Sequence, residues 1–204
     1  MTDYITQPHS QYLFPTQIAI ADIKDFFTFQ QDLLNWIYDY QKKDYGTMIS
    51  NRGGYQSESK EIFLEDSFIP FKNKIMPAIN ELVKEFNIIR PVKIVQMWVN
   101  VNGKYCYNTS HKHAGVDLSG VIWIKQSPES GCFVIENNET GLQTAALNAA
   151  TKYEHSQSHN INSEYVPKYK DGTLCIFPAH LSHRVEMNVT DEDRISISFN
   201  IKII

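Results

Sequence analysis

Three histidines in the sequence have a spacing that suits a metal centre. Only Lys112 separates His111 from His113, and His183 follows much later in the chain. In an extended segment, residues two apart point to the same side and their side chains start about 6–7 Å apart, so two imidazoles can converge on one ion. His180, three residues before His183, is a competing candidate for the distal ligand. Each histidine alone is weak evidence, because surface histidines in loops also explain it.

Arg194 is the next residue with chemical significance, and it begins the last segment of the chain. Polar and apolar residues alternate from residue 194 to residue 204, which predicts a strand with Arg194 and Ser196 on its polar side. A guanidinium on an inward face needs a partner, because burying a lone charge is expensive. Its planar fork beside a hydroxyl suits a carboxylate ligand. The alternative is an exposed arginine at the start of an edge strand.

The combination of these features is more specific than any one of them. Two histidines separated by one residue, a distal histidine and an Arg-x-Ser pair on the last strand form the pattern of an iron(II) oxygenase that uses 2-oxoglutarate. A face of three ligands leaves positions on iron(II) open. We therefore predict that the catalytic metal ligands are His111, His113 and His183. Arg194 and Ser196 are the predicted 2-oxoglutarate site.

Three asparagines extend the predicted site. Asn100 and Asn102 share one face of a predicted strand, and Asn108 lies just before the histidine pair. Their amides suit the carboxylate of 2-oxoglutarate or the orientation of substrate. The alternative is ordinary strand-end and turn chemistry, in which asparagine is common. For the two neighbouring tryptophans, Trp98 and Trp123, a place in the core is favoured over a place in the pocket.

The elements that must position these residues change in type along the chain. Apolar residues at helical spacing predict amphipathic helices over residues 23–41, with Asp22 as N-cap, and over residues 73–86, with Pro77 in the first turn. After Arg90 the apolar period becomes two. Strands are predicted over residues 94–102, 118–124, 132–136, 173–177 and 194–204. Residues 151–163 are polar and predict a surface loop between strands.

Helices followed by many short strands predict an α+β fold in which an antiparallel jelly roll is flanked by N-terminal helices. The length of 204 residues fits a single domain. We expect its helix-rich part to cover residues 1–92 and its jelly-roll core to cover residues 93–204.

The amino-acid composition limits the functional classes and the cellular compartments that we expect for the protein. The formal net charge is −4 and no run of basic residues stands out, which argues against a nucleic-acid groove. Three cysteines, none in a CxxC pair, argue against a disulfide framework and for a reducing compartment. The N-terminus has no basic region typical of a signal peptide, and no apolar stretch approaches the roughly 18 residues of a membrane span. We therefore expect a cytoplasmic protein.

Ordered matches along most of the chain also indicate a family. The matching segments are 13–16 (LFPT), 50–57 (SNRGGYQS), 98–102 (WVNVN), 108–113 (NTSHKH), 118–121 (LSGV), 130–131 (SG), 136–137 (EN), 177–183 (FPAHLSH) and 194–200 (RISISFN). With these segments the sequence resembles the 2OG-Fe(II) oxygenases found in marine bacteria and in phages that infect cyanobacteria. A phage-encoded protein would act in the host cytoplasm.

The resemblance implies a double-stranded β-helix, iron(II), O2 and the co-substrate 2-oxoglutarate. It implies oxidative decarboxylation to succinate and CO2, coupled to hydroxylation of an amino-acid-like, peptidyl or small-molecule substrate that the sequence does not identify. One departure matters, because the wider superfamily usually has His-x-Asp where this chain has His111 and His113. Asp117 is therefore an alternative third ligand. The alternative functions are a cupin-like metal-binding protein and a non-catalytic particle or assembly module; Arg194 and Ser196 argue against the cupin.

Overall fold

The computed structural model describes residues 16–137 and 164–204. The predicted loop over residues 151–163 therefore lies outside the described residues. The helices are α1 (Gln30–Gln41) and α2 (Ile69–Val83). The strands are β1 (Ala19–Asp22), β2 (Asn51–Arg52), β3 (Tyr55–Gln56), β4 (Val92–Asn102), β5 (Tyr107–His111), β6 (Leu118–Lys125), β7 (Phe133–Glu136), β8 (Glu164–Tyr165), β9 (Thr173–Pro178), β10 (Ser182–Val185) and β11 (Arg194–Ile203).

The strands form two antiparallel sheets. The larger sheet has six strands in the order β1-β9-β6-β11-β4-β3, and the smaller has five in the order β2-β5-β10-β7-β8. This arrangement, with few helices, confirms the predicted antiparallel architecture. Its longest pairing joins β11 to β4, with Arg194 opposite Asn102 and Ser196 opposite Asn100. The two segments with the clearest alternation in the sequence are thus neighbours at the centre of the larger sheet.

The N-terminal helices differ from their predicted bounds. Residues Ala19–Asp22 pair with β9 as an edge strand, so Asp22 is not the cap of α1. A short 3₁₀ turn at Phe26–Thr28 follows, and α1 begins only at Gln30. Helix α2 begins four residues before the predicted start, at Ile69, so Pro77 lies inside it instead of in its first turn. Pairing with a distant strand decides the first of these differences, and a local helical pattern cannot reveal it.

The main core lies between the helices and one face of the larger sheet. Ile195, Ile197 and Phe199 of β11 point to this face and are completely buried. Phe199 lies across Gly120 of β6, where an added Cβ would come within 2.2 Å of the Phe199 ring. Glycine is therefore required at position 120 for the ring to cover the sheet. The other face of the same strands is free to line a cavity between the two sheets.

The length and hydrophobicity of the helices show whether any of them could span a membrane. Within residues 16–137 and 164–204, none of them is long and apolar enough to cross a bilayer.

Candidate active site

A cavity between the two sheets brings the predicted residues together. Its lining from the larger sheet is mainly polar, and its lining from the smaller sheet carries imidazoles and apolar side chains. The residues on its walls include Ser50, Trp98, Asn100, Asn102, Asn108, His111, His113, Trp123, Phe133, Phe177, His183, Arg194, Ser196 and Ser198. The three predicted histidine ligands, the three asparagines, Arg194 and Ser196 are all in this set. Asp117 is not in it.

The three histidines reach the cavity from two strands and a loop. His111 is the last residue of β5, and its cross-strand partner is His183 of β10. His113 lies beyond the strand end, where its backbone N–H donates to the carbonyl of Ala179 at 3.0 Å. One ring nitrogen from each histidine lies within 4.8 Å of the others, and the Nε2 atoms of His113 and His183 are 3.2 Å apart. This is a compact set of three donor atoms.

Hydrogen bonds orient two of these rings. Nδ1 of His111 is 2.8 Å from the carbonyl oxygen of Thr109, and Nδ1 of His183 is 2.9 Å from that of Leu181. Since a carbonyl only accepts, Nδ1 carries the proton and the lone pair of Nε2 is free for a metal. Carbonyl contacts of this kind are the usual support of metal-binding histidines.

Burial keeps the imidazoles neutral. It lowers the pKa of His113 to about 4 and that of His183 to about 3, with further lowering by neighbouring histidines. The pKa of His111 is also lowered by burial, although the carbonyl of Thr109 and the charge of Glu136 act in the opposite direction. A metal that binds at neutral pH therefore has no protons to displace from these rings.

The two competing ligand candidates lie elsewhere. Asp117 is exposed, and its Oδ2 accepts the backbone N–H of Ile203 at 2.7 Å. His180 is also exposed. Neither belongs to the cluster of donor atoms, which among the described residues consists of His111, His113 and His183.

Arg194 is buried with an unused donor. Its side chain has 4% exposure, and Nη1 donates to the carbonyl oxygens of Ser130 and Glu186. Nη2 has no hydrogen-bond partner among the described residues, although it is inaccessible to solvent. Burial lowers the pKa of Arg194 to about 10, which leaves it charged at neutral pH. An orphaned donor on a buried cation is the feature that a carboxylate would satisfy.

The asparagines form a polar chain that joins the two walls of the cavity, since Asn100 and Asn102 lie on β4 and Asn108 lies on β5. Nδ2 of Asn102 donates to Oδ1 of Asn108 at 2.8 Å, and Nδ2 of Asn108 donates to Oγ of Ser50 at 3.2 Å. Oδ1 of Asn102 is buried without a partner in the described part of the chain. Nδ2 of Asn100 donates to Oγ of Ser198 at 3.1 Å. Ser50 was not predicted as a site residue; its place in the family-like segment 50–57 (SNRGGYQS) was the one sequence signal for it.

Two tryptophans lie on the cavity wall as well as being buried. Trp98 stacks on His113 with ring centroids 5.7 Å apart, and Nζ of Lys60 lies 5.3 Å from the Trp98 ring. Trp123 stacks on Tyr169 at 4.0 Å. The core and pocket interpretations thus both apply to Trp98 and Trp123. The position of Trp98 on the same strand face as Asn100 was the sequence signal for the pocket.

The cavity has the chemistry of a site for a metal and an anion. Three neutral imidazole nitrogens suit a divalent transition metal such as iron. The orphaned Nη2 of Arg194 suits a carboxylate, and Arg194 lines the same cavity as the histidines. The residues present therefore fit both iron(II) and a carboxylate co-substrate.

Comparison with solved structures finds the same fold in several enzymes. The epimerase SnoN from nogalamycin biosynthesis, described as non-heme and alpha ketoglutarate dependent, has a TM-score of 0.66 at 14% identity, covering 92% of this chain and 77% of its own. HygX from Streptomyces hygroscopicus, with nickel, 2-oxoglutarate and hygromycin B bound, has a TM-score of 0.59 at 11% identity, with coverage of 92% and 83%. A prolyl-4-hydroxylase from Pseudomonas putida has 0.56 at 11% identity, with coverage of 93% and 94%.

Comparison at the sequence level gives the family. No curated protein matches the chain. A family model described as "Putative 2OG-Fe(II) oxygenase" matches residues 96–200, which include all three histidines and Arg194. This match covers just over half of the chain. The chain therefore belongs to the 2OG-Fe(II) oxygenase family, and it is an iron(II)- and 2-oxoglutarate-dependent enzyme.

Proposed function

We propose that His111, His113 and His183 hold the iron, and that Arg194 with Ser196 binds the carboxylate of 2-oxoglutarate remote from the metal. The observation that carries this assignment is the orphaned, buried Nη2 of Arg194, a residue that lines the same cavity as the three imidazoles. When bound, iron(II) and 2-oxoglutarate would supply the oxidising chemistry with O2 as the oxidant: one oxygen atom would go into the succinate formed with loss of CO2, and the other into the hydroxyl group at a substrate C–H bond.

The asparagines have a positioning role in this proposal. Asn100, Asn102 and Asn108 present amides to the co-substrate, and the hydrogen bond from Asn108 to Ser50 fixes the orientation of that amide. The unpartnered Oδ1 of Asn102 supports a role in ligand binding, because a buried acceptor without a partner costs free energy. The aromatic side chains of Trp98 and Trp123 exclude water from the same cavity.

The third ligand is assigned to His113 and not to Asp117. The imidazole of His113 lies against that of His183, whereas the Asp117 carboxylate accepts the N–H of Ile203. The proposed centre therefore has three neutral ligands, and the dianion of 2-oxoglutarate balances the charge of the metal.

The finer description of the protein follows from the family. We take the two sheets as a double-stranded β-helix flanked by the N-terminal helices, and the whole chain as one catalytic domain. We expect an origin in marine bacteria or their phages and action in the cytoplasm, as the sequence resemblance implies.

The proposed substrate is an amino-acid-like, peptidyl or small molecule with an oxidisable C–H bond. The aromatic wall at Trp98 and Phe177 supports an uncharged or amphipathic group next to the metal. Among the solved structures of similar fold, HygX contains hygromycin B, and another enzyme is a prolyl-4-hydroxylase. These two names illustrate the range from small molecule to peptide that the proposal covers.

Co-substrate turnover tests the assignment. Protein purified without oxygen is loaded with iron(II) and 2-oxoglutarate, exposed to air with ascorbate, and assayed for succinate. We expect one metal per chain and slow succinate release, both lost in His183→Ala. Succinate no higher than in that variant, with no binding of 2-oxoglutarate, would refute the assignment. Mass spectrometry of candidate amino acids, peptides and lysate components then searches for a gain of one oxygen atom.

A further inference from the structure

The outer face of the smaller sheet carries a hydrogen-bonded cluster directly behind the histidines. Oε2 of Glu136 accepts from Oγ of Ser110 in a very short contact and from Oγ of Ser182 at 2.8 Å, and the two hydroxyl oxygens are 2.9 Å apart. Ser110 immediately precedes His111, and Ser182 immediately precedes His183. Because side chains alternate along a strand, each serine points outward where the next residue points to the cavity.

This cluster joins three strands next to an irregularity in the pairing of two of them, β10 and β5. Ser182 and Glu136 are register partners between β10 and β7. Between β10 and β5, however, the register shifts next to the pair His183 and His111. A bulge interrupts the backbone ladder at the point where two imidazoles must converge. One carboxylate oxygen that accepts from both serines ties the two strands together at that point.

The cluster also places a negative charge behind the metal ligands. Burial alone would raise the pKa of Glu136, but hydrogen bonds from Ser110, Ser182 and Arg184 lower it, so the group is a carboxylate at neutral pH. Arg184 donates hydrogen bonds to both Glu136 and Glu164, and Glu164 contacts neither serine in the described structure. The proposed ligand set contains three imidazoles and no carboxylate, so Glu136 is a charge that acts on it from outside.

We propose that Glu136 is a positioning residue that holds His111 and His183 at metal-binding separation through Ser110 and Ser182. This inference rests on the proposed ligand set. In this role Glu136 sets the metal affinity and the geometry of the ligands, and it does not contact the substrate or the co-substrate. Partners of this kind outside the ligand set typically change metal affinity by about 10- to 100-fold.

Cobalt(II) is a suitable probe, because its visible absorption reports the geometry of its ligands and needs no turnover. The variants are Glu136→Ala, Glu136→Gln and the double variant Ser110→Ala/Ser182→Ala. Glu164→Gln is the matched control, since it removes a neighbouring carboxylate that also pairs with Arg184 but leaves the serines bound. We expect Glu136→Ala and the double variant to bind cobalt about 10-fold or more weaker and with an altered spectrum. Glu136→Gln should lose less, since an amide oxygen still accepts a hydrogen bond, and Glu164→Gln should match the parent.

The outcomes separate this inference from the proposed function. If the parent does not bind cobalt at all, the metal assignment itself fails. If the parent binds but Glu136→Ala keeps both its affinity and its spectrum, only the positioning role is refuted. An equal loss of cobalt affinity in Glu164→Gln would also refute the positioning role, because removal of either carboxylate beside Arg184 would then have the same effect. Where Glu136→Ala does not fold, the double serine variant decides, since it retains the carboxylate.

Discussion

The two faces of the larger sheet are built from alternate residues of the same strands and differ in almost every physical property. On the helix side, Ile197 and Phe199 of β11 are fully buried among apolar neighbours. On the cavity side, Arg194 and Asn102 are also buried, but each has a polar atom without a partner in the described structure. The first face stabilises the fold, and the second keeps unsatisfied groups that, in our proposal, bind ligands. The comparison teaches that burial alone does not distinguish a core residue from a site residue; hydrogen-bond satisfaction does.

The largest effect on stability should come from the helix side. Phe199→Ala removes a fully buried ring and leaves a cavity over Gly120, which should lower the free energy of unfolding by about 3–5 kcal/mol. Urea denaturation measures it, with Phe199→Leu as a milder control. Cobalt affinity of the folded fraction should remain that of the parent. A large loss of metal binding in Phe199→Ala would break the division between the two faces.

The next effect tests the ligand set on the cavity side. His113→Ala should lose about 100-fold in metal affinity, or about 3 kcal/mol, because a third of the donor set disappears. Asp117→Ala should bind metal like the parent, since that carboxylate accepts only a backbone N–H within the described contacts. Calorimetric titration with cobalt or zinc decides. If His113→Ala kept its metal affinity and Asp117→Ala lost it, the ligand set would instead be two histidines and one carboxylate.

Arg194 should affect co-substrate binding with little effect on the fold. Loss of a desolvated pair with a carboxylate costs about 2–5 kcal/mol, so Arg194→Ala should weaken 2-oxoglutarate about 30-fold or more. Unfolding of the ligand-free protein should change far less than in Phe199→Ala, because the variant also removes a buried unpaired donor. Anaerobic calorimetry measures the first quantity, and Arg194→Lys should recover only part of it. Unchanged 2-oxoglutarate affinity would move the co-substrate site elsewhere.

The smallest effect concerns Lys60, which lies beside the cavity wall. Burial lowers its pKa from 10.5 to about 8, so the unfolded chain binds more protons between these values and stability should rise with pH across that window. Below pH 8 the charged form is a cost to the folded state, which Lys60→Met removes. We expect a gain of about 1 kcal/mol at pH 7, after allowing for solvent screening of this half-buried group, and no gain above pH 10.5. Equal stability of variant and parent at pH 7 would contradict the burial cost.

Much of this architecture could be predicted from sequence, because period-two alternation is a local signal. It correctly placed Asn100 and Arg194 on polar strand faces, which the register of β4 with β11 then joins. The start of α1 was wrong because Ala19–Asp22 pair with a strand far along the chain. Strand β10 was missed because its sequence, SHRV, is mostly polar and shows no run of apolar residues, unlike the equally short β7 with FVIE. Such pairings depend on contacts between distant segments.

The candidate site shows the same division between local patterns, which the sequence reveals, and contacts between distant strands, which it does not reveal. His111 and His183 were predicted from type and spacing, and the structure makes them cross-strand partners. The link from Glu136 to Ser110 and Ser182 could not be predicted, because three strands must pair before one carboxylate meets both hydroxyls. The signal in hindsight is a serine directly before each of two histidines that are proposed as metal ligands.

The position of Trp98 has an optical consequence. Its indole lies against the imidazole of His113 on the cavity wall, whereas Trp36 packs on α1 against Tyr40 and Phe68. In the proposed centre, an open-shell ion held by His113 would quench the emission of the adjacent indole. We therefore expect the intrinsic fluorescence to contain a component from the cavity wall, where Trp123 also lies, that responds to metal, and a component from Trp36 that does not. The chain thus carries its own reporter of metal occupancy, with an internal reference in the same spectrum.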